Sequence, residues 1–238
     1  MSLGVILAAG AGSRLGELGR RYSKPMVPVA GRPLIDWGIE RLQAAGVGEL
    51  IVVRHAGDSM LAAHLAAHWP AIGVAVQSER RGIADALCAA LPLLGEAPAY
   101  LACACDSLFR PDDVAALIAA GAGGAAAVGV LDMGAGATAG RSAVRLDGDR
   151  VLDIVEKPAP GTAPSSLVAA PLYWLPRAVD PYLAAPAAQG AERYISVALA
   201  AFARAGGTVR AVRLRERLEV TTADDVAALD ARLSVARR

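Results

Sequence analysis

Gly10, Gly12, Ser13 and Arg14 follow directly on the apolar run Val5-Ile6-Leu7-Ala8. Glycines carry no Cβ, so the backbone N–H groups of such a loop can turn inward and approach an anion closely. Arg14 adds a fixed positive charge beside that nest, and Lys24 adds a second. Together these groups describe a cradle for a polyphosphate. The spacing alone leaves a plain tight turn open, because a glycine loop after a strand is a hypothesis until its context is known. Two better-known phosphate loops do not match. A P-loop ends in Gly-Lys-Ser/Thr, which Gly12-Ser13-Arg14 does not supply. The dinucleotide fingerprint G-x-G-x-x-G is one residue shorter than Gly10, Gly12 and Gly16 allow. A carboxylate completes the set: Asp106 follows the apolar stretch Leu101-Ala102-Cys103-Ala104-Cys105. At the carboxyl end of a strand, beside a phosphate cradle, it is placed to hold Mg²⁺. It could instead cap the turn into a helix after Pro111.

Elements with the right period must position these groups. Val5–Ala8 reads as a buried parallel strand. Pro33–Ala45 reads as a helix with proline in its first turn and Gly46 just past its end. Strands are predicted at Glu49–Arg54, Gly73–Gln77 and Ala99–Cys105. Helices are predicted from Asp58, as cap, to His68 and over Ala84–Leu94. This β-α-β-α-β-α-β order with short connections argues for a parallel sheet covered by helices on both faces. Ligands of such sheets sit at the carboxyl ends of the strands. Gly10–Arg14, Gln77–Gly82 and Asp106 all fall on that edge. Further along, Gly124–Leu131 is a predicted strand and Asp132–Gly140 a loop. Ala143–Leu146 and Val151–Val155 form a hairpin around Asp147-Gly148. Leu167–Leu175 and Thr208–Leu214 are further strands, and Ala191–Ala205 is a helix. Thr222 is the expected N-cap of the last helix, with Asp225 completing a capping box. The expected architecture is α/β: a Rossmann-like three-layer α/β/α fold with a mixed, mostly parallel central sheet. It forms one domain over 1–238, with a nucleotide-binding half to about residue 120 and an acceptor half beyond it.

The chain has 238 residues, 55% of them hydrophobic, enough for one large core. Its formal charge of +1 provides no field that would attract nucleic acid or a membrane surface. Aromatic residues, at 4%, are too few for base-stacking platforms. No unbroken apolar run of membrane-spanning length and no signal peptide is read from it. Cys88, Cys103 and Cys105 are odd in number and lack framework spacing, which points to reduced thiols in a cytoplasmic protein. Cys103 and Cys105 share one strand face, into the core. His64 and His68 stand i,i+4 without the glutamate of H-E-x-x-H, so a surface or groove position is expected. Homo-oligomerisation stays open.

The whole string LAAGAGSRLG…SKPMVPVAGRPLI, Leu7 to Ile35, resembles the N-terminal signature of the sugar-phosphate nucleotidyltransferases, G-x-G-x-R followed by P-K-P-M/L-V-P-V. Four further segments resemble the same family. Gln77-Ser78-Glu79-Arg80-Arg81-Gly82-Ile83-Ala84-Asp85-Ala86 is similar to its base-reading segment. Asp106-Ser107-Leu108-Phe109 matches its metal-binding aspartate, Val155-Glu156-Lys157-Pro158 its V-x-E-K-P, and Leu218-Glu219-Val220-Thr221-Thr222-Ala223-Asp224-Asp225 its V-D-V-x-T-P-E-D-L. The resemblance implies that a nucleoside triphosphate and a sugar 1-phosphate give a nucleotide sugar and pyrophosphate. It makes Arg14, Lys24 and Asp106 catalytic, and Leu7, Ala8, Ala9, Gly10, Ala11, Gly12, Ser13, Gln77 and Gly82 nucleotide-binding. Glu156 and Lys157 would take the sugar hydroxyls and the acceptor phosphate, with Tyr173 lining that pocket or packing in the core. Asp106 and Glu219 would hold Mg²⁺. An amide offers a donor and an acceptor, as a uracil or thymine edge requires, so Gln77 favours UTP or dTTP; Gly82 leaves room for the base.

Several departures qualify the resemblance. Ser23 stands where the family has proline, Cys105 replaces a glycine, Glu219 replaces an aspartate, and around Arg141–Val144 the glycine that hexose-using members place before V-x-x-D is not found. They keep open the same chemistry on a non-sugar phosphate, such as a cyclitol phosphate, phosphocholine or a phosphonate, with CTP among the candidate donors. An inactive nucleotide-binding homologue is a second alternative. A nicotinamide-dependent oxidoreductase is a third, but it lacks the acidic residue expected after the second strand, which ends Val53-Arg54-His55.

Overall fold

The computed structural model describes residues 2–134, 138, 140–185 and 192–235. Its strands are β1 (Ser2–Leu7), β2 (Pro28–Val29), β3 (Arg32–Pro33), β4 (Val47–His55), β5 (Gly73–Gln77), β6 (Ala99–Ala104) and β7 (Ser107–Phe109), then β8 (Ala126–Asp132), β9 (Ser142–Asp147), β10 (Arg150–Glu156), β11 (Leu167–Pro176), β12 (Val209–Arg213) and β13 (Arg217–Glu219). The helices are α1 (Glu17–Arg21), α2 (Leu34–Ala44), α3 (Ser59–His68), α4 (Ile83–Ala90), α5 (Pro111–Ala120), α6 (Asp180–Ala184), α7 (Ile195–Arg204) and α8 (Ala223–Val235). Nine strands form one sheet in the order β5-β4-β1-β6-β11-β8-β12-β10-β9. β5, β4, β1 and β6 are mutually parallel. β11 and β10 run against their neighbours, while β8 and β12 are parallel. The sheet is therefore mixed, with four parallel and four antiparallel neighbours along its order, and parallel throughout its β5-β4-β1-β6 half.

Burial on both faces explains the continuous apolar runs. Along β1, Val5 and Leu7 pack with Val53, Leu87 and Ala102 on one side. Ile6 and Ala8 pack with Ile39, Val52 and Leu61 on the other. A strand covered on both faces has no polar side to alternate with. A third cluster joins Leu15, Val27, Val29 and Leu34 to Val220, Val226, Leu229 and Leu233. It seats α8 against the loop that carries Arg14 and Lys24, and Ala30 N–H donates to Asp230 Oδ1 at 2.6 Å across the same seam. Both ends of the chain thus support the edge where β1 and β6 finish. No helix among the described residues is long and apolar enough to cross a membrane.

Several element ends differ from expectation, each for a local reason. The helix expected over Ala84–Leu94 stops at Ala90, because Pro92 lacks an N–H and the chain tightens into a 3-10 turn over Leu91–Leu93. The strand expected from Gly124 starts at Ala126, since Gly123 and Gly124 hold φ of +74° and +85°. The helix expected from Ala191 starts at Ile195 with Tyr194 extended; Ala191 itself lies outside the described residues. So do positions 135–137 and 139 of the loop expected over Asp132–Gly140. The hairpin turns at Gly148, and the last helix carries its capping box: Asp225 N–H donates to Thr222 Oγ1 at 3.3 Å and Thr222 N–H to Asp225 Oδ2 at 2.7 Å. Asp58 caps α3 through the Leu61 N–H at 3.0 Å. Of the surface or groove position expected for His64, the open surface does not hold: its side chain is 11% exposed and its Nε2 lies 2.7 Å from Asp36 Oδ1, which also accepts from Trp69 Nε1.

Cys103 and Cys105 share a face in the second cluster. Burial pushes the Cys103 thiol up to about 12, and the Cys105 thiol is raised further by the same cause. The thiolate is the reactive form. Iodoacetamide at pH 8 is therefore expected to leave both unmodified in the folded protein, as read by intact mass with and without denaturant.

Candidate active site

β1 and β6 end side by side, and the chain leaving each forms one wall of a pocket of about 460 Å³. Residues 10–14 form the first wall, held by Ala8 N–H to Val53 O at 2.8 Å and by the Leu15 N–H to Gly12 O at 3.0 Å. The backbone N–H groups of Gly10, Ala11, Gly12 and Ser13 find no acceptor among the described residues. Four donors left open on a pocket wall are the nest an anion requires. Gly12 sits in the left-handed region at φ +64°, where its missing Cβ also avoids Lys24. Arg14 lines the pocket and makes no ion pair or hydrogen bond among the described residues, so its charge is available to a ligand.

The opposite wall carries Asp106. Lys24 Nζ lies 2.6 Å from Asp106 Oδ2, with side chains 12% and 24% exposed. Asp106 Oδ1 accepts from Ser107 Oγ at 3.0 Å, which accepts from Arg217 Nε at 2.9 Å. Arg217 also reaches Glu219 Oε1 at 2.9 Å. Glu219 sits opposite Ser107 in the β7–β13 pair. Its remaining partners are Arg141 at 3.6 Å and the Thr221 hydroxyl at 3.2 Å. Thr221 lines the pocket, but Glu219 does not. Asp106 and Glu192 are thus the carboxylates on the pocket wall, and Asp106 is the one paired with Lys24. Glu219 is held by two arginines beyond it.

Ser23 precedes Lys24 with φ −64° and ψ 151°, after an extended Tyr22. Its hydroxyl is buried without a partner among the described residues. Both conformations suit proline at position 23. Ser23→Pro is expected to stabilise the fold by about 0.5–1 kcal/mol, seen as a small rise in Tm with turnover retained.

The third segment enters from β5. Gln77 is buried, and its Nε2 donates to Asp85 Oδ2 at 2.9 Å and to Gly82 O at 3.3 Å. Gly82 has φ +108°, and a Cβ there would stand 2.4 Å from Arg193 N and 2.5 Å from Arg193 O. The space at Gly82 that sequence reasoning gave to a base is thus also claimed by the Arg193 backbone. That backbone pairs with Arg81 O and Ala84 N at 2.9 and 3.0 Å. Arg80, which sequence reasoning missed, donates from Nε to Ala9 O at 2.9 Å and ties this segment to the glycine loop. Glu192, also missed, lines the pocket. Hydrogen bonds from Tyr194 and Lys157 hold its carboxyl below the usual range.

The acceptor candidates lie across the sheet. Glu156 Oε2 accepts from Ser142 Oγ at 2.5 Å and Ser196 Oγ at 2.6 Å. Lys157 adopts φ +47°, an uncommon value for a lysine. Its Nζ donates to Tyr194 Oη at 2.5 Å and lies 3.4 Å from Glu192. Tyr173 is buried in the core on β11. It is not among the residues lining the pocket, and burial and then the Glu156 carboxylate raise its hydroxyl pKa.

The Nucleotidyl transferase family model matches residues 3–213. The chain belongs to that family. Among relatives of this chain, the bifunctional protein GlmU of Hyphomonas neptunium is 37% identical over 92 residues, 38% of this chain and 19% of its own. The CMP-5'-(3-aminopropyl)phosphonate synthase of Streptomyces rubellomurinus is 51% identical over 49 residues, 21% of this chain and 8% of its own. The matched stretches thus span less than a fifth of either relative's length. A UDP-glucose pyrophosphorylase solved with UDP-glucose superposes with a TM-score of 0.85 at 18% identity, covering 100% of both chains. That likeness establishes the fold shared by this chain and its neighbour.

Proposed function

We propose that this chain transfers a nucleotidyl group from a pyrimidine nucleoside triphosphate to the phosphate of a small acceptor, releasing pyrophosphate. The carrying observation is the convergence on one pocket of the Lys24–Asp106 pair with four backbone N–H groups and an Arg14 that have no partner among the described residues. Among the relatives and neighbours, names specify uridylyl, thymidylyl, UDP or CMP groups, which supports a pyrimidine. An anionic acceptor oxygen attacks the α-phosphorus in line. A new P–O bond forms, the α–β phosphoanhydride bond breaks, and its electron pair leaves with pyrophosphate. The attacking oxygen is already ionised, so no general base and no covalent enzyme intermediate are required. Residues 10–13 and Arg14 hold the departing β- and γ-phosphates, and Lys24 offsets charge at the α-phosphate.

Mg²⁺ fits this wall through Asp106. Among the described residues no three His, Cys, Asp or Glu side chains converge, and Mg²⁺ ordinarily takes one or two carboxylates and leaves its other positions to water and substrate phosphates. When bound, it would neutralise charge between the α-phosphate and the incoming phosphate. Glu219, engaged by Arg217 and Arg141, we assign to orienting those arginines. Glu156 and Lys157 are the groups for the acceptor, a sugar 1-phosphate in the first reading. The 51% match to a phosphonate synthase favours a phosphonate as the second. Pyrophosphate release, measured with Mg²⁺ over a grid of nucleoside triphosphates against sugar 1-phosphates and phosphonates, tests both. Turnover with one pair names the acceptor class; nucleotide binding without turnover on any acceptor would identify an inactive homologue.

A further inference from the structure

On the reading of this pocket as a phosphate site, we infer that Arg80 is a positioning residue. Its guanidinium holds the Ala9–Gly10 peptide so that the Gly10 N–H stays turned toward a bound triphosphate. Arg80 Nε–H donates to Ala9 O at 2.9 Å. No other donor reaches that carbonyl among the described residues. A trans peptide is planar, and its C=O and N–H point in opposite directions. Holding the Ala9 carbonyl on one side therefore holds the Gly10 N–H on the other. Ala9 and Gly10 both line the pocket, and the Gly10 N–H has no acceptor among the described residues.

The loop on its own leaves this peptide loose. The chain is laced to its neighbours up to Ala8, whose N–H donates to Val53 O at 2.8 Å, and again from Gly12, whose carbonyl accepts from the Leu15 N–H at 3.0 Å. Residues 9–11 make no backbone–backbone hydrogen bond among the described residues. A Cβ at Gly10 would meet nothing within 4 Å, so packing does not fix residue 10 either. Glycine moves between backbone conformations at little steric cost. A turned-over peptide would set the Ala9 oxygen where the N–H stood, and a carbonyl dipole aimed at a triphosphate repels it. A bond that keeps the carbonyl on the far side removes that orientation.

The arm that reaches the loop is fixed at its base. Arg193 N–H donates to Arg81 O at 2.9 Å, and Ala84 N–H donates to Arg193 O at 3.0 Å. The acids beside Arg80 are taken by its neighbour: Arg81 lies 3.8 Å from Glu79 and 3.3 Å from Asp85. The Ala9 carbonyl is the one hydrogen-bond partner of Arg80 among the described residues. A hydrogen bond from a charged donor is stronger than a neutral one, and here its whole effect falls on one peptide. Losing it divides the apparent phosphate affinity by the fraction of molecules whose loop still faces the right way. A guanidinium on a pocket wall has a second possible use, direct attraction of the phosphates by its charge, and the two roles separate by substitution. Glutamine places its amide nitrogen the same number of bonds from the backbone as arginine Nε, so it keeps the N–H and loses the charge. Methionine loses both.

The experiment is calorimetric titration of the full chain with inorganic tripolyphosphate and Mg²⁺, which leaves base recognition out, together with the amide nitrogen shift of Gly10 in the protein without ligand. Arg80→Met is expected to weaken tripolyphosphate about tenfold, as when about a tenth of the loops stay oriented, and to shift the Gly10 amide signal. Arg80→Gln is expected to stay within about threefold of the parent, with the Gly10 signal near its parent position. The Arg80 side chain is exposed, so Tm should move by no more than about 2 °C in either variant; should Arg80→Met not fold, Arg80→Ala takes its place. Arg80→Gln as weak as Arg80→Met, with the Gly10 signal unmoved in both, makes the contact one of charge and overturns the clamp. A truncated variant that binds as tightly as the parent overturns it too. Both results leave the nucleotidyl transfer reading standing. A parent protein that binds neither tripolyphosphate nor any nucleoside triphosphate overturns the phosphate site, and the clamp with it.

Discussion

Lys24→Ala is expected to lower turnover by about 10²–10³-fold, in line with the loss of one preorganised charge at a transition state. Its Nζ is held at 2.6 Å from Asp106 Oδ2 on the pocket wall. Removing it has two consequences of the same sign. The positive charge facing the triphosphate disappears. The Asp106 carboxylate, otherwise neutralised, then faces the incoming anion unpaired. Both effects act on bound nucleotide, and the transition state, where charge builds on the departing pyrophosphate, feels them most. kcat should fall further than nucleotide affinity. Far-ultraviolet circular dichroism should stay unchanged, because Lys24 sits in a short 3-10 turn and its backbone bonds do not involve the side chain. Asp106→Asn alone should also be severe, and the pair should be strongly non-additive, since each single change already breaks the same contact. Steady-state kinetics of the two single variants and the double variant measure this. Additive losses, or a Lys24→Ala enzyme as fast as the parent, would remove Lys24 from the chemistry.

The parts of this site legible in sequence were those encoded locally. The buried strands β1, β4 and β6 announce themselves as apolar runs, because burial on both faces leaves no polar position to confuse the pattern. The open loop after β1 is legible because glycine and a following arginine are adjacent in the chain. The capping box at Thr222 and Asp225 is legible for the same reason. Contacts that depend on register across the sheet were not. Arg217 reaches Ser107 over 110 positions, and only the pairing of β13 with β7 brings them together. Arg193 meets Asp85 across 108 positions. His64 was expected at the surface or in a groove, and nothing in its own helix shows that Asp36 and Trp69 are its neighbours. Gly82 was credited to the ligand when the backbone of a distant segment also demands it. Local patterns show where a residue type is permitted; which of several permissible reasons applies is decided by partners far away in the chain.

Two glycines of the same pocket separate those reasons experimentally. A Cβ at Gly82 would stand 2.4 and 2.5 Å from backbone atoms of Arg193, and φ there is +108°. Backbone cannot swing aside as a side-chain tip can, so the turn or the 192–195 segment must move. Gly82→Ala is expected to cost about 3–4 kcal/mol, the range of strongly strained substitutions, and to lower Tm by about 6–16 °C at roughly 2–4 °C per kcal/mol for a chain of this size. Nucleotide affinity should collapse with it, because Gly82 O and Asp85 are what hold Gln77 in place. A Cβ at Gly10 meets nothing within 4 Å, yet Gly10 lines the pocket. Gly10→Ala is therefore expected to leave Tm within about 1 °C, since an unobstructed surface change stays within roughly half a kcal/mol, while weakening nucleoside triphosphate binding about tenfold by standing where the phosphates approach. Calorimetry and nucleotide titration on both variants read the contrast directly. A stable Gly82→Ala protein would show that the Arg193 segment yields, and an unaffected Gly10→Ala affinity would move the phosphates away from the loop. With Gly82 failing in the fold and Gly10 failing only in binding, the turn is built by packing and the loop by its ligand.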